Sequence, residues 1–302
     1  MPYLNPHLHT LSGLMSPITN KSLFSDPATL PWRSVAEIAS KSAYRGAQPC
    51  APTKAQGTIA KSVLVVAPHP DDETLGCGGA IALLQSLKCR VNVLVISDGT
   101  MSHPRSRQYP AAKLRSLREG ETRTATATLG VEASAVDFLR LPDGAVPTPE
   151  MPDFAAAVEM CRDRITAIKP DIVFLPWRYD PHPDHRATWQ IVHYAIVGAH
   201  GCAPLHPQNS PRFIEYPIWD WDETQRSDLA TGDRIRAWRL DISDVVEVKK
   251  QAIAAYRSQT TNLIDDDPEG FRLTPEMLAN FTRNWEVYIE EDPPLPPFSR
   301  GE

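Results

Sequence analysis

The sequence predicts an α/β fold in which a Rossmann-like, doubly wound and mostly parallel sheet forms a single domain. Three runs consist almost wholly of β-branched and other apolar residues, which is typical of strands buried on both faces of a sheet. Segments with helical periodicity separate these runs, as in βαβ units. The chain has 302 residues, of which 42% are apolar and 23% charged, an ordinary composition for a globular protein with a sizeable core.

The predicted elements follow one another in this alternating order. The three buried strands span residues 63–67, 91–96 and 171–175. A short strand is predicted at 135–139, and alternation over 235–242 predicts an edge strand. The predicted helices span 74–88, 111–129, 154–168, 185–197 and 245–256.

The two ends of the chain are less regular. Residues 1–60 are rich in Pro, Ser and Thr, and we interpret them as an extended N-terminal arm with one short helix near 34–42. The main domain is expected over residues 61–265. Residues 266–302 are expected to form a final helix over 274–290, followed by a proline-rich tail.

Charge and composition exclude several classes of protein. The net charge is −6 and no stretch is strongly basic, which argues against binding to nucleic acid. No apolar run approaches the roughly 20 residues that a membrane span needs. The N-terminus lacks the pattern of a signal peptide, so we expect a cytoplasmic protein. The five cysteines are scattered without a CxxC pair, which excludes a disulfide framework and a thiolate zinc site.

Three polar loops follow the three buried strands. They span residues 68–73, 97–100 and 180–185. In an open α/β sheet, ligands bind beyond the carboxyl ends of the strands. We therefore expect these loops to converge on one binding site.

The first and third of these loops each contain a His-Pro-Asp triplet. Imidazole and carboxylate groups are the usual non-thiolate ligands of a catalytic divalent ion. An alternative is that Asp72 and Asp184 only cap the helices that follow. Capping leaves three histidines and three further acids, Asp71, Glu73 and Asp180, without an explanation. The pattern therefore favours a metal site.

Three glycines, Gly76, Gly78 and Gly79, suggest a dinucleotide-binding loop as another alternative. The GxGxxG spacing fails because Ile81 stands where the third glycine belongs. The acidic residues of the preceding loop would also repel a pyrophosphate. We expect these glycines to allow close packing behind the site.

Four short motifs resemble those of one family. They are PHPDDE at 68–73, RxxE at 118–121, LPDG at 141–144 and HPDH at 182–185. Their order and types resemble the LmbE-like N-acetylglucosaminyl de-N-acetylases (PIG-L), which include deacetylases of GlcNAc-phosphatidylinositol and of mycothiol and bacillithiol synthesis. The two histidine motifs are highly specific, whereas the two middle motifs are weak alone.

The resemblance implies a metal centre and its base. His69, Asp72 and His185 would be the ligands of a divalent cation, with zinc expected and ferrous iron as the alternative. Asp71 would be the general base that takes a proton from the attacking water.

The resemblance also implies roles for residues around the substrate. His182 would stabilise the oxyanion and protonate the departing amine, and the Asp184 carboxylate would hold the working tautomer of His182. The residues expected to contact the substrate are Arg118, Asp143 and Asp98.

The implied function is a metal-dependent hydrolase that removes the N-acetyl group from an N-acetylglucosamine-containing small molecule or conjugate. The alternative is a deacylase of another amide, such as an antibiotic, a lipid or an amino-sugar analogue, with the same site. A binding protein without activity has no reason to keep all these groups. The expected partner is a small amino-sugar substrate, and self-association into a homo-oligomer is left open.

Three positions depart from the family pattern or allow two interpretations. Asp180 stands where some relatives have a tyrosine, so an oxyanion donor from that position would be absent. Tyr256 stands where a histidine is frequent. The segment of Trp177, Arg178 and Tyr179 is equally consistent with a surface that stacks on a sugar and with internal packing.

Overall fold

Eight strands form one sheet in this computed structural model, which describes residues 27–40, 60–198, 210–221 and 235–291. The strands are β1 (Trp32–Arg33), β2 (Ser62–Ala67), β3 (Arg90–Ser97), β4 (Val136–Leu141), β5 (Ile172–Pro176), β6 (Arg212–Tyr216), β7 (Ile235–Asp241) and β8 (Trp285–Glu291). Their order across the sheet is β1-β7-β8-β6-β5-β2-β3-β4. Only β8 runs antiparallel to its neighbours, so the sheet is mostly parallel, as predicted.

Helices cover both faces of the sheet. They are α1 (Val35–Ile38), α2 (Asp72–Ser86), α3 (Ala111–Thr128), α4 (Phe154–Ile168), α5 (Pro183–Val197), α6 (Val246–Ala254), α7 (Arg257–Thr260) and α8 (Pro275–Phe281). Alternate residues of β2 point to opposite faces: Val63 and Val65 join the core under α2 and α6, and Leu64 and Val66 the core under α4 and α5. The doubly wound fold class is thereby confirmed. No helix in the described residues is long and apolar enough to cross a membrane.

The predicted helix over 274–290 is wrong in its second half. Helix α8 ends at Phe281, and the residues that follow form strand β8 in the middle of the sheet. Glu286 and Glu290 have the spacing of exposed helical positions, but both are buried against basic side chains from distant segments. Strand β8 therefore belongs to the same sheet as the strands that precede the three polar loops.

Two strands, β6 and β7, differ from the sequence-based prediction. Strand β6 was not predicted, and β7 is not an edge strand because β1 pairs with its outer side. The pairing residues of β1, Trp32 and Arg33, belong to the predicted N-terminal arm. Within that arm the side chain of Ile38 is fully buried. Arg212 donates hydrogen bonds to the backbone carbonyls of Glu37 and Ile38. The remainder of the predicted arm, 1–26 and 41–59, lies outside the described residues.

A buried ion pair supports the middle of helix α2. The Nζ atom of Lys249 lies 2.7 Å from Oε1 of Glu286 and donates to the carbonyl of Leu75, also at 2.7 Å. The Glu286 carboxylate accepts the backbone N–H groups of Gly79 and Ala80 at 2.7 and 2.8 Å. Removal of one member of such a pair leaves the other charge buried without compensation.

We expect Lys249→Met to lower the free energy of unfolding by about 3–5 kcal/mol, measured by urea denaturation. The matched control is Lys250→Met, because Lys250 pairs with Glu247 at the same distance of 2.7 Å on the exposed side of the same helix. An exposed pair contributes less than about 1 kcal/mol. If both substitutions lowered the free energy of unfolding equally, the buried pair would contribute no more to stability than the exposed pair.

Candidate active site

The predicted site residues meet at one edge of the sheet. Strands β5, β2, β3 and β4 are neighbours, and the loops at their carboxyl ends lie side by side. A cavity of about 650 Å³ opens above these loops. Among the residues that line it are His69, Asp71, Asp72, Arg118, Asp143 and His182.

Two side chains that line the cavity, His69 and Asp72, form a compact triangle with the fully buried His185. The Nδ1 atom of His69 lies 3.2 Å from Oδ2 of Asp72 and 3.3 Å from Nε2 of His185, and the third side, from His185 to Asp72, is 3.2 Å. Donors bound tetrahedrally to zinc at about 2.1 Å lie roughly 3.4 Å apart. The two nitrogens and one oxygen therefore fit a single divalent cation.

Carboxylate oxygens lie close to the other nitrogen of each imidazole of the triangle. Nε2 of His69 lies 3.2 Å from Oδ2 of Asp184 and 3.3 Å from Oδ1 of Asp143. Nδ1 of His185 lies 3.3 Å from Oδ1 of Asp180. Such carboxylates fix the orientation of a metal-binding imidazole and raise its basicity.

The electrostatics of the triangle favour a positive charge. Burial opposes protonation of His69, but hydrogen bonds to Asp143, Asp184 and Asp72 raise its pKa well above the usual value. Asp180 and Asp72 likewise outweigh burial and raise the pKa of His185 to about 9. Burial would raise the pKa of Asp72, but the two imidazoles hold it below its usual range. A divalent cation would satisfy this surplus of acidic groups.

A second group of potential ligands shares His69 and consists otherwise of His182 and Asp184. Three of its polar atoms, all except Nε2 of His182 and those of His69, already accept backbone N–H groups. Nδ1 of His182 accepts the backbone N–H of Asp184, and the Asp184 carboxylate accepts the N–H groups of Gly144 and Val146. The first triangle is therefore the better metal site.

Neither aspartate that was considered as a helix cap has that role. The N-cap residue of α2 is Asp71 and that of α5 is His182. The Asp184 carboxylate instead anchors the loop after β4, and its contact with His182 runs through its backbone N–H. The expected hydrogen bond from the ring of His182 to this carboxylate is thus replaced by one from the backbone N–H of Asp184 to Nδ1 of His182.

Asp71 occupies a strained position beside the triangle. Its φ angle is 131°, a value that residues other than glycine rarely adopt. Two neighbours hold it there: its N–H donates to Glu73, and Arg118 donates to the Asp71 carboxylate at 3.2 Å and to the carbonyl of Pro70 at 2.6 Å. Burial raises the pKa of Asp71 to about 8 against the opposing charge of Arg118. The result is a fixed carboxylate with raised basicity at the cavity floor.

His182 presents one defined nitrogen to the cavity. Because Nδ1 accepts a backbone N–H at 3.2 Å, the ring proton of the neutral form sits on Nε2. Burial and the neighbouring histidines His185 and His69 lower the pKa of His182 to about 4. Near neutral pH it is therefore a neutral hydrogen-bond donor.

The three residues predicted to contact the substrate differ in position. Asp143 and Arg118 line the cavity, but two nitrogens of Arg118 already serve Asp71 and the carbonyls of Pro70 and Gly99. Asp98 is not among the lining residues. Its carboxylate accepts the N–H and hydroxyl of Thr100.

Sequence reasoning missed three residues that shape the site. Asp180 is fully buried and accepts the N–H groups of His182, Ile218 and Trp219. Gln259 is fully buried, lines the cavity and has an Oε1 atom without a partner. The hydroxyl of Tyr256 donates to Glu73, which holds Asp71. Asp180 and Tyr256 both carried a signal in the sequence, as departures from the family pattern.

Two other expectations concern packing. Trp177 is fully buried and lies in a cluster with Ile235 and Val287, so the segment that contains it serves internal packing. The glycines of α2 allow close approach, as predicted. A Cβ atom on Gly76 would lie 2.3 Å from the ring of Tyr216, and one on Gly79 would lie 2.5 Å from Ile242.

Comparisons with known proteins identify relatives of this chain. A family model described as GlcNAc-PI de-N-acetylase (PIG-L) matches residues 64–196. The diacetylchitobiose deacetylase of Thermococcus kodakarensis is 30% identical over 219 residues, which cover 66% of this chain and 70% of that protein. The probable N-acetyl-alpha-D-glucosaminyl L-malate deacetylase 2 of Bacillus subtilis is 26% identical, over 75% of this chain and 95% of that protein.

Solved structures share the fold. The N,N'-diacetylchitobiose deacetylase from Pyrococcus horikoshii superposes with a TM-score of 0.56 at 24% identity, over 80% of this chain and 88% of that one. The segment matched by the family model contains all three residues of the triangle together with Asp71 and His182. This chain belongs to the PIG-L, or LmbE-like, family of GlcNAc-PI de-N-acetylases.

Proposed function

We propose that this protein is a metal-dependent hydrolase that removes the N-acetyl group from an N-acetylglucosamine-containing small molecule or conjugate. The observation that carries the proposal is the triangle of His69, Asp72 and His185, with sides of 3.2 to 3.3 Å, beside the fixed carboxylate of Asp71. The names of the relatives, all deacetylases of amino-sugar compounds, support the substrate class.

Zinc is the proposed cation, and ferrous iron is the alternative. Two imidazoles and one carboxylate suit both ions, whose selection depends on availability as well as affinity. His69, Asp72 and His185 would hold the ion. When bound, it lowers the pKa of a water molecule to about 7 and polarises the amide carbonyl.

Asp71 is the proposed general base. It takes a proton from the attacking water as the new carbon–oxygen bond forms. It then gives that proton to the amine nitrogen as the carbon–nitrogen bond breaks, so that acetate and a free amine leave. The nearby cation would keep this buried carboxylate ionised before the reaction.

His182 is the proposed hydrogen-bond donor to the tetrahedral oxyanion. Its Nε2–H group faces the cavity because Nδ1 accepts the Asp184 N–H. A preorganised donor of this kind stabilises the charge that develops in the transition state. Protonation of the departing amine, which the family resemblance implies for His182, is assigned to Asp71, because Asp71 already holds the proton from the attacking water.

Asp143 is the best placed of the predicted contacts to a sugar. Its Oδ2 atom accepts the N–H of Met101 at 2.7 Å, and it lines the cavity beside His69. Arg118 would mainly position Asp71, to whose carboxylate it donates a hydrogen bond. Asp98 would position the loop that contains Thr100, whose N–H donates to it. The alternative function, a deacylase of another amide, is supported by the apolar residues that line the cavity.

Free-amine release from N-acetylglucosamine and N,N'-diacetylchitobiose tests the proposed function. We expect turnover by the full chain loaded with zinc or, without oxygen, with ferrous iron. Dipicolinate should abolish it, and added metal should restore it. Absence of amine release from both compounds by metal-loaded protein would contradict the proposal.

Two further predictions from the sequence concern the protein in the cell. A cytoplasmic location is tested by fractionation of the source cells. Self-association is tested by size-exclusion chromatography with light scattering.

A further inference from the structure

Together with the polar residues Gln259, Glu276 and Asn280, the C-terminal part of the chain lines the cavity with large apolar side chains that take no part in the proposed chemistry. They are Ile218, Trp219, Trp221, Phe271, Leu273, Met277 and Phe281, here called the apolar wall. All of them lie outside residues 64–196, the segment that matches the family model. The apolar wall is thus a feature of this chain's C-terminal part.

The order of the strands places the start of this wall on a defined side of the metal site. The ligating residues follow β2 and β5, and the proposed sugar contact Asp143 follows β4, two strands beyond β2. Ile218 and Trp219 follow β6, on the far side of β5. An amide that lies over the triangle with its sugar toward Asp143 therefore directs its acyl group toward Ile218 and Trp219, the part of the apolar wall that follows β6.

The apolar wall is tied to the catalytic residues. Oδ2 of Asp180 accepts the N–H groups of Ile218 and Trp219 at 3.2 and 3.1 Å, and Oδ1 of the same residue faces His185. The ring of Trp219 stacks 6.4 Å from the ring of His182 and meets the Phe271 ring at 5.7 Å. The same buried aspartate thus positions a metal ligand and the nearest part of the wall.

An acetyl group offers the apolar wall a single methyl group, which cannot cover seven large side chains. The cavity of about 650 Å³ lies within the roughly 300–1,000 Å³ typical of sites for drug-sized ligands. Removal of apolar surface from water favours a longer aliphatic group at such a wall. Resting on the proposed function, the geometry points to an N-acyl amino sugar whose acyl chain is longer than acetyl and lies against the apolar wall.

A series of N-acylglucosamines tests this inference. With N-acetyl, N-butanoyl and N-hexanoyl glucosamine as substrates of the metal-loaded full chain, kcat/KM should rise with chain length. We expect at least about a tenfold gain from acetyl to hexanoyl, since each buried methylene contributes up to about fourfold. Hexyl N-acetylglucosaminide, which carries an alkyl chain of similar length on the sugar's other side, should gain less over N-acetylglucosamine. The inference would be overturned if kcat/KM rose only for the hexyl glycoside, or if it rose neither for this glycoside nor for N-hexanoyl glucosamine.

Substitutions in the wall should change the preference between acyl groups. Phe271→Ala and Met277→Ala are expected to lower the ratio of hexanoyl to acetyl kcat/KM severalfold. Met160→Ala is the control, because Met160 is 41% exposed on α4 and does not line the cavity. An unchanged ratio in both wall variants would contradict the placement of the chain.

Failure of the inference can be told apart from failure of the proposed function. Release of amine from N-acetylglucosamine without any gain for longer chains would remove only the inference. If no amide is hydrolysed, a change in intrinsic tryptophan fluorescence still reports binding, because two of the seven tryptophans, Trp219 and Trp221, line the cavity. Tighter binding of N-hexanoyl than of N-acetyl glucosamine would then support the apolar wall as an acyl site, and equal binding would overturn it.

Discussion

Asp71→Ala is expected to lower kcat for deacetylation by about 10²–10⁴-fold, the usual contribution of a general base. The bound metal should stay at its wild-type content, because Asp71 is not part of the triangle formed by His69, Asp72 and His185. Measurement of kcat together with metal content by plasma mass spectrometry separates the two effects.

Asp71→Asn is the control in which the size and shape of the side chain are kept and its basicity is lost. The amide oxygen can still accept a hydrogen bond from Arg118, which lies 3.2 Å from the carboxylate in the native chain, but it cannot take a proton from water. We expect the same loss of turnover as with alanine. Near-normal deacetylation by either variant with metal bound would show that another group is the base.

His69→Ala is expected to remove both the metal and the activity. His69 supplies one corner of the triangle and also contacts two outer carboxylates, those of Asp143 and Asp184. Loss of a ligand should weaken metal binding by more than the roughly 10–100-fold that the loss of an outer partner costs. Metal content and turnover, measured after dialysis against a metal buffer, should both fall to background.

The matched control is His193→Ala. His193 lies on α5, as does His185, but it stacks on Trp189 and does not line the cavity. Its replacement should leave metal content and kcat near the wild-type values. Full metal occupancy in His69→Ala would mean that the ion is bound elsewhere.

The fold class follows from local patterns that need no distant partner. Helix α4 was predicted with its observed bounds, Phe154–Ile168, because polar turn residues and a proline flank an amphipathic run. The central strands were placed within one residue at each end, since a strand buried on both faces is apolar throughout.

Strands β6 and β8 could not be predicted in this way. Their charged residues look exposed in the sequence, but Arg212 and Glu290 are both buried and pair with each other at 2.6 Å. A buried charge becomes acceptable only through a partner that the fold brings from far away in the chain. Such pairing leaves no local pattern.

For the site, residue types could be predicted but atomic partners could not. The motifs identified His69, Asp72 and His185, which the structure brings together. They did not show that Asp184 reaches His182 through its backbone, or that Asp180 links His185 to the apolar wall. These contacts depend on loop conformations after several strands.

The position of the cation tests the central claim most directly. Crystals of the full chain loaded with zinc should show one anomalous scattering peak at the zinc absorption edge. We predict that it lies within about 2.2 Å of Nδ1 of His69, Oδ2 of Asp72 and Nε2 of His185. The account would be contradicted if the anomalous peak lay at another site, or if no peak lay between these three atoms.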